Sequence, residues 1–578
     1  MNKARTILWS VLLMLIATSA VGETWYVRPD GGTRYSARTT TGQCDGKADA
    51  PYRGHGVNQH CAFKDYRYLW DDQSYGNNAW VIAGGDTVIL RGGPWRVGFD
   101  AATGKGAGYT WCFGGHGPYS CTNPTIPAGT PTQPTRILGE NYASCANGNV
   151  TDRSKLTQIF GGFGVNIVLN LADAKNVDVQ CLEITEHNGR CILHGNPASP
   201  RYCNTGGPAM DDYDASGIGV NNATANVSLQ DMWIHGHTTN GIAGPIGGAI
   251  SMNRVYVGFN GAAGWNFDDG RDTPDAAGSS IRAQYVTMEA NGCNEQYPLV
   301  DSFPAASCYD MNSGGFGDSW SGQDTVLDTF TCDHCVQAYN TKDGFIGPHT
   351  TITHLSITNS ESYGNMGQQW KWGATPHSDT VFEDNLTIGN CMRMSEPLPG
   401  APRNYNQHLS LFCRAAGDIF SFFSAANSTV LFANNTTVGY SATMVDLNCT
   451  PSNTCGSTQY LFRNNIMLGS LNPKYNPSNA NVPGLFYLSD SSDHITAEHN
   501  IYFNLRIHTC LLSSNLCTDP MLVDETARTM TSESQFDHFN FHPRPGSPAI
   551  RAGVAIDLPT DYYRAKRPAP PTIGAVEP

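Results

Sequence analysis

From about residue 165 onward, the chain repeats one short pattern in which β-branched and other apolar residues alternate with polar ones and then give way to a turn of Asn and Gly. The copies are NVDVQCLEITEHNG, NVSLQDMWIHGHTTNG, AISMNRVYVGFNGAAG, SIRAQYVTMEANG, TVLDTFTCDHCVQAYN, TITHLSITNSESYGNMG, DTVFEDNLTIGN, TVLFANNTTVGYS, QYLFRNNIMLGS and HITAEHNIYFN. Their first apolar strand residues are Val179, Leu229, Ile250, Ile281, Val326, Ile352, Val381, Leu431, Leu461 and Thr496. A base spacing of about 21–30 residues with occasional insertions suits one coil of a parallel β-helix. Helical repeats need a longer unit, and a β-sandwich would not return the same Asn-Asn turn at corresponding points. The pattern therefore predicts an all-β chain wound as a right-handed parallel β-helix, with apolar residues in a narrow shared core and Asn in the turns, where it tolerates left-handed backbone.

The ends depart from the repeat. Residues 1–22 carry Lys3 and Arg5, an apolar run from Ile7 to Ile16 and then small residues, the three-part layout of a secretory signal peptide, so the mature chain is expected to start near Glu23 and to be secreted. Residues 23–160 read as an N-terminal cap with the first irregular coils, 161–510 as the coils that carry the candidate site, and 511–578 as a last coil and C-terminal cap. The 18 Cys of an exported chain favour disulfides. Sequence neighbours suggest loop staples: Cys44 with Cys61, Cys112 with Cys121, Cys191 with Cys203, Cys293 with Cys308, Cys391 with Cys413, Cys449 with Cys455 and Cys510 with Cys517. Cys145 with Cys181 and Cys332 with Cys335 remain, and the second is a C-x-x-C pair open to a redox or zinc reading.

Composition and charge narrow the function. With 61 Gly, 33 Pro and 40% hydrophobic residues in 578, the chain is neither a helical bundle nor disordered. A net charge of −15 argues against nucleic acid as a partner. No later apolar run reaches transmembrane length, so no membrane partner is expected once the signal is removed, and the chain is expected to be a monomer. An acidic substrate would need a local cationic site.

Such a site is suggested where acidic coils run into a basic one. Strand alignment sets GWNFDDGRD, with Asp268, Asp269 and Asp272, beside GGFGDSW with Asp318, then NTKDGF with Lys342 and Asp343, then QQWKWG with Lys371. Carboxylates about 5 Å apart along a ladder repel unless a cation sits among them, and calcium accepts oxygen ligands from separate coils. Asp268, Asp269, Asp318 and Asp343 are the candidate ligands. Lys371, between Trp370 and Trp372, is the candidate general base, partly withdrawn from water by the rings. Lys342, Trp370, Trp372, Arg271 and Arg393 are candidate substrate contacts, the arginines because a guanidinium pairs bidentately with a uronate carboxylate.

TWYVRPDGG, GGDTVILRGG, the Asn-Asn coils and the closing GSPAIRAG and RPAPPTIGAVE together resemble secreted bacterial right-handed parallel β-helix proteins of the pectate-lyase-like superfamily. QQWKWGATPHSDTVFEDNLTIGN is similar to the stretch of family-nine pectate lyases that holds a lysine base followed by glycines and an Asn-Asn coil. That resemblance implies β-elimination on a uronic-acid polysaccharide, with Lys371 as base. The family's calcium run, Asp-Asp-Gly-Trp-Asp, is matched in register only by Lys342, Asp343, Gly344, Phe345 and Ile346, while a literal DDGxD stands at Asp268–Asp272, so Lys342 is a candidate for part of the charge a metal would give. Two other readings stay open. One is an inverting glycoside hydrolase using carboxylates among Asp269, Asp318 and Asp343. The other is a non-catalytic carbohydrate-binding protein using Trp370, Trp372 and Trp320 as stacking platforms.

Overall fold

A computed structural model describes residues 22–70, 80–97, 99–100, 105–106, 123–145, 153–161, 165–185, 214–237, 239–267, 278–292, 317–322, 326–345, 351–365, 367–389, 419–439, 443–449, 457–469, 484–488, 494–505, 510, 514–524 and 540–578. The expected signal peptide, the Cys112–Cys121, Cys191–Cys203, Cys293–Cys308, Cys391–Cys413 and Cys449–Cys455 staples, and Asp268, Asp269, Arg271, Asp272 and Arg393 lie wholly or partly outside the described residues.

Alternating apolar residues build strands, and the strands stack as a parallel β-helix. One face is a ladder that begins at Thr24–Gly32, Thr87–Leu90 and Thr135–Gly139 and continues without a break through Lys175–Gln180, Ala225–His235, Ala249–Gly258, Ser280–Glu289, Val326–Asp333, Thr351–Thr358, Trp370–Glu383, Thr429–Ala433, Gln459–Arg463 and His494–Glu498, each strand parallel to the next. A second face stacks Val336–Ala338, Glu361–Tyr363, Leu386–Ile388, Thr436–Gly439, Ile466–Gly469 and Ile501–Phe503. The third, which carries the candidate site, runs from Val165–Asn170 through Asp214–Gly219, Asn240–Ala243 and Trp265–Asn266 to Trp320–Ser321, then resumes with the start of Trp370–Glu383, Phe420–Ser424, Thr443–Cys449 and Gly484–Leu488. No described helix is long and apolar enough to cross a membrane.

The register confirms some anchors and corrects others. Val179 stands opposite Leu229, and Val381, Leu431, Leu461 and Thr496 stand in one line. Ile250 faces Val227 rather than Leu229, because a period of two makes Ile250 and Met252 equally eligible. Val326 is the outward residue of its strand and 39% exposed, and it is Leu327 that pairs with Ile352.

Asn supplies the corners as anticipated, and the side chains form ladders. Asn385, Asn435, Asn465 and Asn500 each pass a side-chain N–H to the Oδ1 of the next, ending on Asn515, at 2.9–3.0 Å. Asp384, Asn434, Asn464 and His499, each just before a rung, sit at a φ of 52–54°, the left-handed region. A second ladder runs through Asn260, Asn291, Asn340 and Asn365. Inside, Phe382 and Phe432 stack with centroids 4.9 Å apart, and Phe462 packs on Phe432 at 5.4 Å with its ring tilted by 48°.

Cys44–Cys61, Cys145–Cys181, Cys332–Cys335 and Cys510–Cys517 are disulfides. The C-x-x-C pair is therefore a buried staple rather than a metal site. The C-terminal segment folds back along the second face, where Phe541, Ala549, Ile573 and Ala575 cover Val438, Ile466, Leu468 and Ile501. Arg567 clamps it there, pairing with Glu577 of its own segment and with Asp384 at a coil corner.

Candidate active site

Backbone alternation decides what faces the solvent on the third face. Trp370 and Trp372 are 0% and 1% exposed, with rings packed on Phe345, Phe382 and Phe422, so Lys371 between them points outward. This corrects the expectation that Trp370 and Trp372 contact substrate: both rings are in the core, and Trp320 is buried with them.

One coil below Lys371, the segment before Phe345 brings two carboxylates and a second lysine together. Asp343 N donates to Asp318 Oδ1 at 3.0 Å, and Gln368 N donates to Asp343 Oδ1 at 2.9 Å, so the two aspartates stack in one line along the coil axis with Gln368 next. Their other oxygens meet ammonium groups. Lys342 Nζ lies 2.8 Å from Asp318 Oδ2, and Lys371 Nζ lies 3.2 Å from Asp343 Oδ2. Burial pushes the Asp318 carboxyl up from the ordinary range while Lys342 pulls it back. Both lysine side chains keep an outlet to solvent, being 20% and 12% exposed. Gly367 makes room for the arrangement, since a Cβ there would stand 2.0 Å from Asp343 Oδ1.

The structure thus brings together Lys371, Asp343, Lys342 and Asp318, but in different partnerships from those expected. Strand register places Ala263, not an aspartate, on the preceding coil opposite Asp318. Asp318 and Asp343 each already hold a backbone N–H and an ammonium, and the other two expected calcium ligands, Asp268 and Asp269, lie outside the described residues. Elsewhere, His235 with Glu183 and His237 with Asp214 form buried pairs at 2.7 Å.

Sequence reasoning passed over the strands beyond Lys371. Lys371 stands opposite Ser421, and Ser421 opposite Asp446, so the outward row continues for two more coils. The alternation in FSFFS and MVDLN was visible, but the insertion at 390–418 separates these strands from QQWKWG.

No known family profile matches the chain, and no curated protein matches it by sequence. Among solved structures, the chain is similar to pectate lyase Pel9A at 12% identity and a TM-score of 0.43, over 96% of this chain and 97% of that one. It is also similar to an Azotobacter vinelandii mannuronan C-5 epimerase A-module, AlgE6, at 12% identity and a TM-score of 0.36 over 76% and 92% of the two chains. An alginate lyase from Paenibacillus sp. FPU-7 matches at 11% and 0.29 over 71% and 93%.

Proposed function

We propose that the chain is a secreted polysaccharide lyase that cleaves a uronic-acid-containing chain by β-elimination. The observation that carries this reading is the outward lysine pair on the third face: Lys371 backed by Asp343, with Lys342 one coil below backed by Asp318. In the proposed reaction, neutral Lys371 Nζ takes the proton from C5 of a uronate. Asp343, at 3.2 Å, stabilises the ammonium that results. Lys342 supplies positive charge for the C6 carboxylate, where charge develops as the C5–H bond breaks. The disulfides at Cys44–Cys61, Cys145–Cys181, Cys332–Cys335 and Cys510–Cys517 support an oxidising, extracytoplasmic destination.

The test is a panel of polygalacturonate, alginate and glucuronan at neutral and alkaline pH, with and without chelator. A lyase product absorbs ultraviolet light through its new C4=C5 double bond. New reducing ends without that absorbance would assign a hydrolase, and neither signal on any polymer would overturn the reading.

A further inference from the structure

Elimination needs a second proton transfer, because the leaving 4-oxygen must be protonated as Lys371 takes the C5 proton. The row that carries Lys371 offers a group for it. Lys371, Ser421 and Asp446 stand opposite one another on successive strands. Each points away from the core on its strand, since Phe420 and Phe422 flank Ser421, and Val445 and Leu447 flank Asp446, all buried; Ser421 is itself 1% exposed and forms the floor between Lys371 and Asp446, which are partly exposed. Two strand spacings, about 10 Å, separate the Lys371 and Asp446 backbones. That gap suits one sugar ring with its glycosidic oxygen, a base and an acid each within hydrogen-bond reach of the reacting atoms. The charged groups on the row either side are Asp343, on the far side of Lys371, and Lys371 itself.

The carboxyl of Asp446 is only partly tied down. Asn448 donates to its Oδ2, and the Ser421 hydroxyl lies beside it. Its Oδ1 is buried with no hydrogen-bond partner among the described residues. An oxygen in that state is held poorly as an anion and well as a protonated acid. Burial accordingly pushes the Asp446 carboxyl up, although Asn448, Ser421 and Lys371 all pull it down.

We propose that Asp446 is the general acid of the elimination, an inference that rests on the lyase reading above. The balance is complete without a co-reactant. The C5–H pair becomes the C4=C5 bond, the C4–O bond breaks with its electrons going to oxygen, and that oxygen takes the Asp446 proton while Lys371 holds the C5 proton. Solvent then resets both groups.

The experiment compares wild type, Asp446→Asn and Lys371→Met on the polymer that wild type cleaves, in D2O, following both double-bond formation and deuterium at C5 of the recovered polymer. Asp446→Asn should lose about 10²–10⁴-fold in elimination yet put deuterium into C5, because the carbanion forms, fails to expel its oxygen and is reprotonated. Lys371→Met should lose both signals. Should Asp446→Asn fail to fold, Asp446→Ser, matching the serine beside it, carries the same comparison. A 4-nitrophenoxide at C4 of a short uronide leaves without an acid, and the variant should release it at close to the wild-type rate. Elimination above a third of the wild-type rate in Asp446→Asn, or its loss without C5 deuteration, overturns the acid and leaves the lyase standing. Absence of the double bond with wild type on every polymer overturns both.

Discussion

The Lys342 ammonium, 2.8 Å from Asp318 Oδ2, is the charge partner of a carboxylate that is wholly buried. Removing one member of such a pair leaves the other as an uncompensated charge, which costs about 3–5 kcal/mol in typical buried pairs. Lys342→Met should therefore lower the melting temperature clearly. Lys342→Met with Asp318→Asn should recover most of that loss, and a double variant no more stable than the single one would contradict the pairing.

The same pairs carry an expectation about metal. With both carboxylates neutralised by lysines, extraction of calcium by chelator should leave the site intact. The informative measurement is the melting temperature of stripped protein titrated with calcium, in wild type and Asp318→Asn. Calcium stabilisation present in wild type and absent in the variant would put a metal between Asp318 and Asp343.

Stability should also track the corner ladder. Asn435 is completely buried, accepts from Asn385 and donates to Asn465 Oδ1 at 3.0 Å and to the Phe382 carbonyl at 2.8 Å. Asn435→Leu would leave donors and acceptors on two adjacent coils unsatisfied, at about 1–3 kcal/mol each. A loss of several kcal/mol in denaturant unfolding is expected, and a loss under 1 kcal/mol would show that the ladder contributes little.

A pH dependence follows from the corner against which the C-terminal segment is clamped. Burial pushes Glu383 up to about 7, against the pull of Arg567, and does the same to the adjacent Asp384. A carboxyl with a raised folded value binds its proton more tightly when folded. Its stabilising contribution is thus full below the ordinary glutamate value of 4.5 and disappears as pH rises through about 7. The shift corresponds to a change on the order of 3 kcal/mol. Stability should fall between pH 5 and 8, and Glu383→Gln should flatten that slope while Asp384 keeps part of it. An equal slope in the variant would remove Glu383 as its source.

Much of this architecture was legible because a coil stack writes itself into the sequence twice, as alternation in the strands and as Asn at the corners. Lys371, Asp343, Lys342 and Asp318 were legible for the same reason, each sitting a fixed step from an apolar strand residue. The alternation that puts Lys371 outside also puts Trp370 and Trp372 inside, so the burial of both rings was already present in WKW. Charge pairing was harder. Whether a carboxylate meets a metal or a lysine depends on contacts between residues 24 and 28 positions apart, which a slip of one residue in register would undo. Asp446 was hidden by the insertion that separates its coil from Lys371.

Lys371 gives the sharpest separation between chemistry and packing. Its stem leaves the strand between two buried tryptophans, and its amine bonds to Asp343, so Lys371→Met keeps the apolar part of the side chain and deletes the amine. The carboxylate left behind, Asp343, is as buried as Asp318, so Lys371→Met should lower stability about as much as Lys342→Met does, and turnover is to be read at a temperature where the variant is still folded. Catalysis should respond on another scale. A positioned base contributes about 10²–10⁴-fold in rate, and because an amine accepts a proton only when neutral, wild-type turnover should climb with pH. The measurement is double-bond formation against pH for wild type and variant, alongside their melting curves. If Lys371→Met retains more than about a tenth of wild-type activity, far above what loss of a base leaves, Lys371 is not the proton acceptor. If Lys371→Met is folded at the assay temperature and its rate falls by at least a hundredfold at every pH, the amine is acting on the substrate rather than holding the coil together.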